Sequence, residues 1–318
     1  MTLLFLLLFG QALQEVNTIP IESKGSFFDY IRNCYIQADG TFTIPAAHSI
    51  YHVSQTGQII RKIGGKGDGP GEFQLSYYAF WDGSSYMVMD NRRRDLSYFS
   101  ADGTFQKREP FTLQRFHKTE NATLMVDFQK IGQEEPSICP VEVSSDFSIK
   151  PAGEYFHQID PIVKKFGYNF SQVFVTDNHG LIFVMDQLNS DVHVYNEDYK
   201  KVRSFKAQLK GFVQASESWP EDAKMPEVRR VMVGISVVQR LCSIDAGLVI
   251  GYFVPNPADF ENRFLRLSVV DEQGKALTDE PLHVEGHFVG TYDNQIYTLK
   301  ETDDLNYEIK VYRFGEGL

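Results

Sequence analysis

Cysteine is scarce in this chain. Cys34, Cys139 and Cys242 are the only three in 318 residues, too few for a disulfide framework, and each lies in an apolar, strand-like context that suits a buried free thiol. No cysteine follows the apolar N-terminus closely enough to take a lipid, the first being Cys34. Positive charge is also in deficit. Against 42 acidic residues stand 31 Lys and Arg, and the formal charge of −11 opposes attraction to nucleic acid or anionic lipid. Long apolar runs are missing after the first residues. Nothing there approaches the roughly 20 apolar residues of a membrane helix, so no membrane span is expected.

What the chain does have is aromatic and apolar material. With 25 Phe and 16 Tyr, and 42% apolar residues, it suits strands whose faces pack against neighbouring sheets and can build a sizeable core. Residues 1–12 form an uncharged apolar run that ends in Gly10 and Ala12, small residues at the −3/−1 spacing of an export leader. An exported protein, periplasmic or extracellular, is therefore expected, with residues 13–318 as a single domain.

The turns carry an internal repeat. Six polar clusters separate strand-like runs, around Asp39-Gly40, Asp82-Gly83, Glu120-Asn121, Asn178-His179, Asp245-Ala246 and Asp293-Asn294. A second series interleaves with the first at Thr56-Gly57, Asp102-Gly103, Asp146-Phe147, Glu197-Asp198 and Gln273-Gly274. Asp, Asn and Gly recur because hairpin turns need positive φ at central positions. Between turns lie runs such as Tyr86-Met87-Val88-Met89 and Leu248-Val249-Ile250-Gly251-Tyr252-Phe253, which read as strands. The shorter repeat spacings match the ~40–50 residues of a four-stranded propeller blade, and the longer ones require insertions. An all-β, six-bladed β-propeller follows. The last unit ends at Leu318 without a second turn, so the segment Val16–Glu22 is expected to pair with the last blade and close the ring.

Gly64-Gly65-Lys66-Gly67-Asp68-Gly69-Pro70-Gly71-Glu72-Phe73 resembles the glycine-rich link of NHL repeats. Val88-Met89-Asp90-Asn91 followed by Asp95–Phe99 resembles their second-to-third strand portion, and Val184-Met185-Asp186 with Val192–Tyr195 repeats it. The chain is thus similar to bacterial exported NHL-like propellers. The same glycine run contains Gly-x-Gly-x-Gly, but a phosphate-cradling loop must open a helix, whereas Phe73 leads towards a strand.

In a propeller the first-to-second and third-to-fourth strand turns share one face, and the other connections share the opposite one. Long connections gather there: Ile131–Pro140, Val254–Arg263 and an insertion over about 207–236. That face is the expected binding site, because function favours variable loops on rigid strands. In the insertion, Ser218, Pro220 and Glu221 make a capping box for a helix, which Pro226 bends before Val228, Val231, Met232 and Ile235 line one side. This helical insertion between blades 4 and 5 is either a clip or a lid.

Arg92, Arg93 and Arg94 form the sharpest charge cluster, on the same expected face as Lys66, Arg229 and Arg230. Arginine forks match carboxylate and phosphate geometry, so these six are the candidate ligand-binding residues. The alternative is a solvated run paired with Asp90, Asp95 or Glu72. His283, Glu285 and His287 alternate and would share one face of an early-starting strand. His283 and His287 would then lie about 13 Å apart, too far to share an ion. No metal role is expected for them, nor for His48 or His52, and Asp90 and Asp186 read as caps of their own turns. No nucleophilic triad stands out. The sequence thus points to a non-catalytic, monomeric module holding a protein, peptide or small anionic ligand, with no cofactor. The rival is a metal-dependent hydrolase or lyase with Ca²⁺ or Zn²⁺ in the central channel, since one fold hosts both uses.

Overall fold

The computed structural model describes residues 13–21, 31, 33–110, 114–119, 122–127, 135–144, 148–159, 173–215, 233–256, 264–302 and 306–314. Six antiparallel sheets follow one another along the chain. After a first strand that belongs to the last blade, blade 1 comprises β2 (Tyr35–Ile36), β3 (Phe42–Ala46), β4 (Ser49–Val53) and β5 (Ile59–Ile63). Blade 2 comprises β6 (Ser76–Trp81), β7 (Ser85–Asp90), β8 (Asp95–Ser100) and β9 (Phe105–Pro110). Blade 3 comprises β10 (Gln114–Lys118), β11 (Thr123–Asp127), β12 (Ile138–Val143) and β13 (Ile149–Pro151). Blade 4 comprises β14 (Val173–Asn178), β15 (Leu181–Asp186), β16 (Asp191–Tyr195) and β17 (Lys201–Lys206). Blade 5 comprises β18 (Val237–Ile244), β19 (Gly247–Val254) and β20 (Phe264–Val270). Blade 6 comprises β21 (His287–Tyr292), β22 (Gln295–Glu301), β23 (Tyr307–Phe314) and, at its outer edge, β1 (Leu13–Pro20).

The ring closes as the unpaired last unit requires. β1 runs antiparallel to β23 from Leu13 opposite Phe314 to Pro20 opposite Glu308, with a bulge between Glu15 and Asn17. The closing strand starts earlier than the expected segment because Leu13 to Glu15 also pair. Both turn series fall where hairpins join the strands wherever they are described; Glu120-Asn121 and Asp146-Phe147 lie outside the described residues. Blade 5 departs from the four-stranded pattern. Its fourth edge is held by single bridges, Ala276 to Val270 and Leu282 to Leu267, rather than by a continuous ladder.

The hydrophobic core is divided among the six blade-to-blade interfaces. Strand alternation makes this possible, because successive side chains face opposite sides of a sheet. In β7, Tyr86 and Val88 pack against blade 1 while Met87 and Met89 pack against blade 3. In β15, Ile182 and Val184 face blade 3 while Phe183 and Met185 face blade 5. Between their ends these second strands are apolar because neither face meets water, with Asp90 and Asp186 closing β7 and β15. The outer β5 and β17 alternate, leaving Ile60 and Val202 half exposed.

Two sequence expectations need correction. Pro140 is not in a connection but inside β12, opposite Leu124. His283 and His287 do not share a strand, since β21 begins at His287 and Gly286 turns the chain before it at φ +83°. The helix expected to start at Ser218 in the insertion over about 207–236 lies for the most part on residues 216–232, outside the described residues. Among the described ones no helix is present beyond the helical backbone of residues 233–234, and Ile235 packs into the interface of blades 3 and 4.

Candidate functional site on the long-connection face and in the central channel

Because the strands of every blade alternate in direction, the second-to-third turns and the blade-to-blade connections emerge together on one face. Blade 2 builds one described part of it. Asp90, fully buried at the end of β7, accepts hydrogen bonds from the backbone amides of Arg92 and Arg93, both at 3.0 Å, in its own turn. It also accepts from the amides of Gln74, at 2.6 Å, and Leu75, at 3.3 Å, in the connection from blade 1. One carboxylate thus fixes two loops.

Arg93 completes the clamp. Its guanidinium lies 3.3 Å from Asp90 and 3.0 Å from Asp95, and donates to the Glu72 carbonyl at 2.7 Å. From β9, Arg108 donates to the carbonyls of Gly69 and Glu72 and lies 3.4 Å from Asp95. Burial pushes the Asp95 carboxyl up while these two cations pull it down. The glycine-rich link is therefore a folded platform stapled from below. Of the six candidate cations, Arg93 is spent on this internal work. Lys66, Arg92 and Arg94 are exposed on or beside the platform, and Arg94 adopts a left-handed φ of +57°. Arg229 and Arg230 lie outside the described residues.

Blade 4 repeats the plan with different chemistry. Asp186 occupies the position of Asp90, and here a side chain of the preceding connection reaches the carboxylate, His157 Nε2 at 3.4 Å. His157 Nδ1 stands 2.8 Å from the Tyr195 hydroxyl, and its ring lies 5.1 Å from that of His193. Burial, with Asp186 adding to it, pushes the Tyr195 phenol up to about 12. Burial and then the charge of His157 hold His193 below the usual imidazole value. Beside this cluster, where β17 runs into the insertion, Leu209, Phe212, Gln208, Gln214, Lys206 and Ser190 line an open groove of about 470 Å³. Its lining combines the apolar Leu209 and Phe212 with the amides of Gln208 and Gln214 and the cation of Lys206.

The innermost strands β2, β6, β10, β14, β18 and β21 surround the central channel. Tyr35 packs edge-on against Tyr78 with ring centroids 5.1 Å apart, and the Tyr78 hydroxyl donates to the Phe116 carbonyl, so one belt links blades 1, 2 and 3. On the far side Thr176 donates to Ser243 and Thr291 to the Ser243 carbonyl, linking blades 4, 5 and 6. Among the described residues no three His, Cys, Asp or Glu side chains come together as a metal site. His52 is pinned between the Tyr86 hydroxyl at 2.6 Å and Thr41 Oγ1 at 2.7 Å, and Lys300 holds Glu285 at 2.5 Å. The groove, the His157 cluster and a channel arginine, Arg240, were not expected. The Arg240 contact joins blades distant in sequence, the His157 cluster joins a connection to the blade after it, and the groove forms between a turn of blade 4 and the connection that leaves it.

This geometry defines a six-bladed β-propeller in which the connection into blade 2 forms a platform on one face. Searches among known families and among curated proteins find no match to the chain. Solved structures do match in fold. A member of the DUF4221 family from Bacteroides vulgatus superposes with a TM-score of 0.68 at 8% identity, covering 97% of this chain and 99% of that one. A candidate exported protein from Bacteroides fragilis superposes with a TM-score of 0.65 at 13% identity, covering 96% of each chain. At these identities the likeness is one of fold.

Proposed function

We propose that the chain is an exported, non-catalytic binding module of NHL-like character that holds a protein, peptide or small anionic ligand on its long-connection face. The observation that carries this reading is the division of labour in blade 2. Arg93 and Arg108 freeze the glycine-rich platform, while Lys66, Arg92 and Arg94 stand exposed with no carboxylate partner among the described residues. A rigid support with undischarged cations costs little ordering entropy when an anion docks. The groove beside Phe212 supplies an apolar companion surface on the same face. Export is supported by the apolar residues 1–12 and by the description of the Bacteroides fragilis propeller as a candidate exported protein.

Fluorescence anisotropy with a labelled hexaglutamate peptide tests the reading. The variant carrying Lys66→Gln, Arg92→Gln and Arg94→Gln is expected to bind at least tenfold more weakly, because one charge-assisted hydrogen bond contributes ~1.5–3 kcal/mol and tenfold is ~1.4 kcal/mol. Equal affinity of variant and wild type, or no binding by either, refutes it.

A further inference from the structure

Arg240 sits on β18, the innermost strand of blade 5, at a bulge where Val238 faces Tyr252 and Arg240 faces Gly251, leaving Gln239 as the extra residue. A bulge beside a functional site re-aims side chains. The Arg240 guanidinium reaches past blade 6 to lie 5.1 Å from the centre of the Tyr35 ring in blade 1. Gly290 makes this reach possible. It stands on the inner strand of blade 6 between Ile36 and Cys242, where an added Cβ would lie 2.9 Å from Ile36 Cγ2 and 3.6 Å from Cys242 Sγ. With no side chain there, blades 5 and 1 meet across the channel wall.

The other half-buried arginines whose side chains are described each reach a carboxylate or carbonyl oxygen: Arg61, Arg93, Arg108, Arg203 and Arg266. Arg240 has neither among the described residues. Its Nε is buried without a hydrogen-bond partner, as are those of Arg61, Arg93, Arg108 and Arg203, and Oε1 of Gln239, the residue before it in the bulge, is likewise buried and unpartnered. Its charge acts instead on two thiols. Burial raises Cys34 to about 12 and also raises Cys242, and Arg240 pulls both back down. A half-buried cation with aromatic and thiol neighbours and an adjacent unfilled acceptor is a costly arrangement that an anion bearing a donor would relieve.

We infer that the central channel binds a small carboxylate carrying a hydroxyl or ammonium group next to it, a 2-hydroxy or 2-amino acid. The carboxylate takes the Arg240 fork, the Tyr35 face backs the guanidinium, and Gln239 Oε1 accepts from the neighbouring donor. This site is independent of the exposed cations Lys66, Arg92 and Arg94, so either reading stands if the other fails.

The test is a ligand-induced melting shift, with affinity from calorimetry, for lactate, glycine and acetate. At about ten times a Kd of ~1 mM, lactate or glycine is expected to raise the melting temperature by about 2 °C. Arg240→Gln is expected to lose that shift and weaken binding more than tenfold, while its melting temperature without ligand stays equal or rises because an unpaired charge is gone. Arg240→Lys, which keeps the charge but not the fork, is expected to weaken binding several-fold and decides the matter if the Gln variant does not fold. Gln239→Leu is expected to bring lactate down to the affinity of acetate. No binding of lactate or glycine to the wild type, or unchanged binding by the Arg240 variants, overturns the inference.

Discussion

Arg93 Nε lies 3.0 Å from Asp95 Oδ2 across the turn between β7 and β8, with only 15% and 12% of the two side chains exposed. Neither Nε of Arg93 nor that of Arg108 is aligned for a hydrogen bond to this carboxylate, so the attraction is that of charge, and the hydrogen bonds go to the carbonyls of the glycine-rich link. Removing one partner of such a group leaves the others buried and unpaired. Arg93→Gln is therefore expected to cost about 2–3 kcal/mol, less than a fully buried pair because solvent screens part of it. Arg92→Gln and Arg94→Gln, on exposed side chains, should stay within about 0.5 kcal/mol of the wild type. Urea unfolding of the three single variants measures this. Equal effects at all three positions would mean that the clamp does not exist.

Asp90 shares its place in the blade with Asp186 and serves four backbone amides, and without its carboxylate those donors lose their acceptor in a buried site. Asp90→Ala is expected to cost about 3–5 kcal/mol. Hydrogen exchange should locate the effect. In Asp90→Ala the amides of Gln74, Leu75, Arg92 and Arg93 should lose protection together, and persistent protection there would contradict the bonding pattern.

The fold was legible because its signals are local. Turns at Asp82-Gly83 and Asp293-Asn294 demand special backbone dihedrals, which few residue types meet, and Gly83, Asp293 and Asn294 all have positive φ. The missing last turn likewise pointed to β1. The fourth edge of blade 5 was not legible, because Asp271–Gly274 has the same turn chemistry whether or not a regular strand follows. The site was legible only by face. Arg92, Arg93 and Arg94 are identical in sequence, and the left-handed Arg94 together with the carbonyls of a link more than 20 residues earlier separates their roles. Arg240 gave one signal, a lone cation in the strand Val237-Val238-Gln239-Arg240-Leu241-Cys242, and its value depends on Tyr35 in another blade.

The closure of the ring yields the last expectation. Ile19 and Ile21 are buried in the interface of blades 6 and 1, and the Pro20 carbonyl lies where a Cβ on Gly57 would come within 2.1 Å, so the closing strand is also gripped by a turn of blade 1. Its outer side is tied by charge, with Lys310 Nζ 3.0 Å from Glu15. Ile19→Ala is expected to cost about 2–4 kcal/mol, and deletion of residues 13–20 should expose the β23 edge and cause aggregation. Gly57→Ala should destabilise closure from the other partner, because its φ of +86° and the nearby carbonyl both exclude a side chain. The charge tie adds a pH dependence. Hydrogen bonds from Thr18 and then Lys310 hold Glu15 below its ordinary 4.5. A lowered carboxylate stabilises the fold above the unfolded value and loses that contribution as pH falls through the folded one. The wild type should therefore lose more stability than Glu15→Gln between pH 7 and pH 3, by a small margin because the pair is exposed. Denaturation of both proteins across that range checks the sign. An unchanged melting temperature on deleting residues 13–20 would show that the ring does not depend on this strand.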